Sequence, residues 1–196
     1  MLNTLKYLHP AFETQPLVSM KSRQAPLIEH YTQNPKDAIV YDFACTDSKQ
    51  HPANDPLHTK VFIDKQHQVE HTVSVHKKVG GQSDFATPGD LLCGSIAACL
   101  DSTIRVIANR FDIKLKYLQV AVAGKVDMRG TLRVDRKTPV GFTSFDVRVD
   151  IQAAGKIPSK WIDRLIEGAE KSCVVMQTLS KNCDINITRG SVKLTY

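Results

Sequence analysis

The chain has 196 residues, enough for one core that buries roughly 70% of the unfolded surface with no disulfide scaffold or metal site required. It is 42% hydrophobic and 23% charged, with no unbroken apolar run of membrane length and no leader-like segment near Met1, so the expectation is a soluble, cytoplasmic protein with no membrane partner. A net charge of +6 and a pI near 9.1 raise nucleic acid as a partner, but Lys and Arg lie among Asp and Glu without a nucleic-acid motif, which points to a solvated basic surface.

In chain order, residues 1–19 carry no periodic apolar pattern and read as an N-terminal extension, and residues 20–196 read as a single domain. Pro26 to Gln33 has the make-up of a short helix with Pro in its first turn, stopped by Asn34-Pro35. Ala38 to Ala44 reads as a strand, and Thr46 to Lys60, with Pro52 and Pro56, as a loop. Val61 to Asp64 and Val69 to His76 read as two strands of a hairpin turned by residues 65–68 and ended by Gly80-Gly81.

The next stretch predicts a long, largely buried helix. Thr87 is a good N-cap, Pro88 falls at the first helical position and Asp90 at the third, and the helix should end near Phe111-Asp112. At about 100° per residue, Asp90, Gly94, Ala97, Asp101, Arg105, Ala108 and Asp112 form one polar stripe, and Cys99 points roughly opposite, among Leu92, Ser95, Ile96, Thr103 and Val106. Leu115 to Met128 reads as a strand with Gly124 marking a bulge, and residues 129–141 as a basic loop. Phe145, Val147, Val149 and Ile151 alternate with polar residues as a half-buried strand. A second helix from Pro158-Ser159 places Ile162, Ile166, Ala169, Cys173, Met176 and Ser180 on an inward seam, and Asp184 to Thr188 and Val192 to Tyr196 close the chain as strands. The fold class is therefore α+β, with helices lying on a sheet.

Five cysteines without a Cys-x-x-Cys suit a reducing compartment. No His lies three or four residues from Cys93 or Cys99, so neither a metal nor a cofactor is expected. Two readings of Cys99 stand side by side: a small hydrophobe packed on an apolar helix face, or a redox thiol that needs a partner. Cys93 reads as core, Cys45 as a strand residue, Cys183 as a surface or strand-edge thiol, and Trp161 as packing.

Gly80-Gly81 ahead of Thr87-Pro-Gly-Asp-Leu-Leu, then Ala97-Ala-Cys99-Leu-Asp-Ser-Thr, and Glu170-Lys-Ser-Cys173-Val-Val-Met-Gln-Thr-Leu179, resemble the OsmC and organic hydroperoxide resistance (Ohr) superfamily over about residues 61 to 190. Met20-Lys-Ser-Arg-Gln-Ala-Pro-Leu and Asp135-Arg-Lys-Thr-Pro-Val-Gly-Phe142 look most like a less-studied OsmC-like subgroup, whose members begin near the equivalent of Met20. The resemblance implies an intertwined homodimer with two central buried helices against curved, mainly antiparallel sheets. It also implies thiol-dependent reduction of organic hydroperoxides, with Cys99 as peroxidatic thiolate, Cys173 as resolving thiol and an external dithiol as reductant. The alternative it leaves is a non-catalytic dimer of the same fold that binds a small apolar or thiol ligand at its interface. Two family features differ here. The Glu that follows the helix Pro is Gly89, for which Asp90 could substitute if it is not simply a cap, and no Arg lies between Arg23 and Cys99, so Lys65, His67, Lys77 or Lys78 would have to supply the cation.

Overall fold

The computed structural model describes residues 18–47, 49–180 and 184–190. Helix α1 spans Met20–Gln33, starting six residues before the Pro expected to open it. Ser19 is the reason: its hydroxyl accepts from Ser22 N as an N-cap, so Pro26 lies inside the helix. The end at Asn34-Pro35 is as expected.

Strands β1 (Ala44–Thr46), β2 (His58–Ile63) and β3 (Val69–Ser74) form an antiparallel sheet in that order, with Ile63 paired to Val69 across the turn and His58 to Ser74 at the base. The strand expected over residues 38–44 forms only at its last residue. Ile39, Val40, Tyr41 and Phe43 are exposed, because β2 pairs with the chain from Ala44 onward and residues 39–42 have no strand neighbour among the described residues. β2 begins at His58, three residues inside the stretch read as a loop, since its pairing with β3 runs to the hairpin base.

Strands β4 (Leu115–Val126), β5 (Phe142–Ala153) and β6 (Asp184–Arg189) make the second sheet, in the order β4-β5-β6. β4 and β5 are antiparallel, whereas β6 runs parallel to β5, with Phe145 beside Ile185. The alternation in β5 has the expected consequence. Phe145, Val147 and Val149 are fully buried, and Asp146 and Arg148 face outward. Gly124 keeps its place in the ladder opposite Phe145, and the irregularities fall at Leu115/Tyr117 and Lys125/Val126. Glycine is required there for packing: a Cβ would lie 2.4 Å from the Phe142 ring and 3.0 Å from that of Phe145. The basic loop opens with a short helix, α3 (Met128–Thr131).

Helix α2 (Pro88–Arg110) starts as the sequence predicts, with a capping box in which Thr87 Oγ1 accepts from Asp90 N and the Asp90 carboxylate accepts from Thr87 N. Its buried row is Ile96, Leu100, Ile104 and Ala108, an i,i+4 line packed on the second sheet. Ala108, placed by periodicity on the polar stripe, is fully buried, and Ser95, placed on the inner face, is exposed. Alanine has no polar group to keep it outside, so side-chain type could not orient that row. Much of the rest of this helix is exposed or half-buried in the single chain, against the expectation of a largely buried helix.

The second predicted helix is two. Helix α4 (Ser159–Ser172) and helix α5 (Val174–Leu179) are separated at Cys173, whose backbone is extended (φ −77°, ψ 108°). Ile162, Ile166, Ala169, Cys173 and Met176 are buried as read, joined by Leu165, but Ser180 lies beyond the end of α5 and is exposed. Cys183 and Val192 to Tyr196 lie outside the described residues.

Candidate functional site

Cys99 lies three turns into α2, half-buried, and its carbonyl oxygen accepts from Thr103 Oγ1 at 2.7 Å and Ser102 Oγ at 3.0 Å. Cys173 is fully buried at the junction of α4 and α5. The extended backbone there turns the chain between two helices, and Gln177 N closes the first turn of α5 onto the Cys173 carbonyl at 2.9 Å. These two residues, far apart in sequence, adjoin in the fold: the Cys99 side chain is among the groups that raise the Cys173 thiol. Burial in the apolar core, followed by the neighbouring Cys99 side chain, pushes the Cys173 thiol up to about 11, so it keeps its proton at neutral pH. Cys173 belongs to the same core cluster as Leu100, Ala169 and Met176, all fully buried. Two adjoining thiols, one buried and one half-buried, can become an intramolecular disulfide when an oxidant takes up two electrons.

None of the charged groups weighed from sequence hydrogen-bonds either thiol among the described residues. Asp90 is committed to the capping box, where one carboxylate oxygen accepts from both Thr87 N at 2.7 Å and Thr87 Oγ1 at 2.8 Å. Gly89 stands against the Phe142 ring, 3.0 Å from where a Cβ would be. His67, at the tip of the β2–β3 hairpin, is bonded to Asp64, Lys65 is exposed beside it, and Lys77 and Lys78 are exposed on a 3₁₀ turn.

The other cysteines divide. Cys45 is exposed on β1. Cys93, read as core, is half-buried and lines a cavity of about 820 Å³ between the start of α2, the end of β4 and the α3 to β5 connection. Burial pushes its thiol up, with a smaller opposing contribution from the Gly124 backbone. Neither Cys99 nor Cys173 reaches that cavity. Trp161 is half-exposed, its ring under the Arg164 guanidinium at 5.8 Å, where core packing was expected.

Sequence reasoning passed over a second constellation. Asp55 Oδ2 lies 2.9 Å from His51 Nε2 and 3.2 Å from His58 Nδ1, and His58 Nε2 lies 3.1 Å from Asp84 Oδ2. The Asp55-x-x-His58 spacing was its available signal, masked by the loop-like composition around it. No group of His, Cys, Asp or Glu suited to a metal occurs among the described residues.

The family model for OsmC-like protein matches residues 81–188, which takes in α2, the paired cysteines and most of the second sheet. The chain belongs to the OsmC-like family. Solved structures agree with that membership in fold. An organic hydroperoxide resistance protein OsmC from Legionella pneumophila superposes with a TM-score of 0.61 at 17% identity, over 79% of this chain and 99% of that one. An organic hydroperoxide resistance protein from Elizabethkingia anophelis gives 0.61 at 18% identity over the same shares. A Vibrio cholerae homologue, solved with captopril in one of its active sites, gives 0.59 at 19% identity over 80% and 96%. No curated protein matches the chain. At these identities the likeness establishes the OsmC-like fold; the chemistry has to be argued from this chain's own residues.

Proposed function

We propose that this OsmC-like protein is a thiol-dependent peroxidase for organic hydroperoxides, with Cys99 as the attacking thiol and Cys173 as the resolving one. The observation that carries the reading is the juxtaposition of the two cysteine side chains at the apolar core, with Cys173 held in its protonated form. The Cys99 thiolate attacks the outer oxygen of ROOH, the O–O bond breaks, and the RO⁻ fragment leaves as ROH after taking a proton, so that the sulfur is oxidised to sulfenic acid. Cys173 then attacks that sulfur. Its proton and the sulfenic hydroxyl leave as water and a Cys99–Cys173 disulfide forms, which an external dithiol reduces by exchange.

A homodimer belongs to the same reading. The exposed run Ile39, Val40, Tyr41 and Phe43 leads into β1, and α2 leaves apolar surface uncovered; a second copy would cover both. Residues 20–196 would then form the domain, with the preceding residues as an extension.

The test is sequential. Cys99→Ser should abolish consumption of cumene hydroperoxide, whereas Cys173→Ser should permit one turnover and leave at position 99 a sulfenic acid that dimedone traps. In the wild type one equivalent of peroxide should yield a 99–173 disulfide by peptide mapping. Equal, slow consumption by wild type and Cys99→Ser would overturn the proposal and leave Cys99 as packing.

A further inference from the structure

Cys173 stands where two helices meet, and the chain offers little there to hold it. Residues 174–176 are Val-Val-Met, with no side-chain donor, and α5 has six residues and no side-chain N-cap, too short to be a stable helix unaided. Its buried anchor is Met176, whereas Val174 is exposed. On the other side of the junction, α4 ends with carbonyls that lack a helical partner, Glu170 O among them. Cys173 N reaches that oxygen at 3.3 Å, a long bond, and Gln177 Nε2 donates to the same oxygen at 3.0 Å. Gln177 N meanwhile donates to the Cys173 carbonyl at 2.9 Å. One residue thus grips the chain on both sides of Cys173, and among the described residues its amide makes the one side-chain hydrogen bond that crosses the junction.

We infer that Gln177 is the positioning residue of the resolving thiol: its clasp on Glu170 O fixes the extended backbone of Cys173 and so keeps that side chain turned to Cys99. For its effect on turnover the inference rests on the peroxidase reading; the clasp itself does not. The amide and the backbone N–H of Gln177 go to carbonyls and to neither sulfur. Attack on the peroxide concerns Cys99, so the clasp acts on the second step. There the Cys173 sulfur must close to about 2.05 Å of the Cys99 sulfur, and the sulfenic hydroxyl leaves with the Cys173 proton as water. Without the clasp, fewer conformations of the junction hold the two sulfurs within reach, and the effective concentration of Cys173 falls.

The test separates the two steps in the full chain. Gln177→Leu removes the donor at an exposed position, and Gln177→Glu removes it without a change of shape. In a Cys173→Ser background, neither substitution should alter the rate at which cumene hydroperoxide yields a dimedone-reactive Cys99. With Cys173 present, both should slow conversion of that sulfenic acid to the 99–173 disulfide by about three- to tenfold, the net worth of one hydrogen bond. Gln177→Lys should restore the rate, because its ammonium supplies a donor where the end of α4 favours a cation. A second readout uses no peroxide: equilibration with glutathione, in which the dithiol gives two electrons and two protons to glutathione disulfide. Gln177→Leu and Gln177→Glu should favour the dithiol by a similar factor, and Gln177→Lys should not. Slowing of both steps alike, a disulfide formed at the wild-type rate, or no recovery with Gln177→Lys would overturn the inference while the peroxidase reading stands. A wild type that forms no sulfenic acid at Cys99 would end the peroxidase reading instead. The glutathione equilibrium alone would then decide, and an unchanged ratio in the variants would overturn the role of Gln177 as well.

Discussion

Both ring nitrogens of His58 face carboxylates, Asp55 on one side and Asp84 on the other, and its ring meets the edge of Phe85 at 6.0 Å. A neutral imidazole has one donor and one acceptor, so only the imidazolium satisfies both acids. The hydrogen bond to Asp55 is the main cause of a pKa raised above 6.5, and the backbone N–H of Leu57 leads in bringing Asp55 down to about 2. The raised His58 contributes stability that is fully present below pH 6.5 and is lost as pH rises through its folded value; the depressed Asp55 contributes above pH 3.8 and is lost as pH falls through about 2. The gap in melting temperature between wild type and His58→Gln should therefore be widest near pH 5 to 6 and close by about pH 9. Thermal scans across that range check it. At this scale periodicity put Cys99 and Cys173 on inward faces, and only the family motifs suggested them as a pair, because helix periodicity gives the face of a cysteine and not what stands opposite. His58 was hidden for a related reason: its partners Asp55 and Asp84 meet it only after β2 and β3 have paired.

At the scale of elements, caps were legible and packing was less so. The capping box of α2 was read residue by residue, whereas the start of α1 was missed because Pro26 looked like an opening signal while Ser19 was the actual cap. Val18 O accepts from Asn109 Nδ2 and Asn109 Oδ1 accepts from Met20 N, so this cap is also where α1 is tied to α2. Removal of residues 1–17 should leave the melting temperature within about 2 °C of wild type, but removal of 1–19 should cost about 1 kcal/mol more, the usual worth of a Ser cap. Denaturant titration of the two truncations distinguishes them. The break at Cys173 was equally invisible, because the apolar 4,3,4,3 seam continues straight through it. Gly124 gives a second element-scale prediction: Gly124→Ala forces its Cβ into the Phe142 ring and should destabilise by roughly 1–3 kcal/mol, and Phe142→Leu in the same chain should recover part of that loss. A double-mutant cycle in urea measures the coupling.

For the whole molecule, α+β architecture followed from element order, and the exposed surfaces carry the next expectation. Helix α2 is long and apolar enough in composition to cross a membrane, yet only 22% of its most apolar 18-residue window is buried in the single chain. Asp101 and Arg105, bonded to each other on that helix, make a bilayer a poor solvent for it, and a second copy is the occupant we expect. Sedimentation at micromolar concentration should give a dimer, and Ala98→Arg, which puts a charge on the exposed side of α2, should shift it towards monomer. A monomer in the wild type would count against the dimer.

The two sheets also differ in when they can form. β2 and β3 are joined by a five-residue turn and pair without waiting for any other element, on the microsecond scale of hairpins. β5 and β6 are parallel, and their pairing must wait until α4, Cys173 and α5 have been laid down between them. The thiol contact thus matures late, with the closing of the second sheet. An oxidant that meets the nascent chain would find Cys99 and Cys173 still apart, so refolding under oxidising conditions should scatter disulfides among the five thiols.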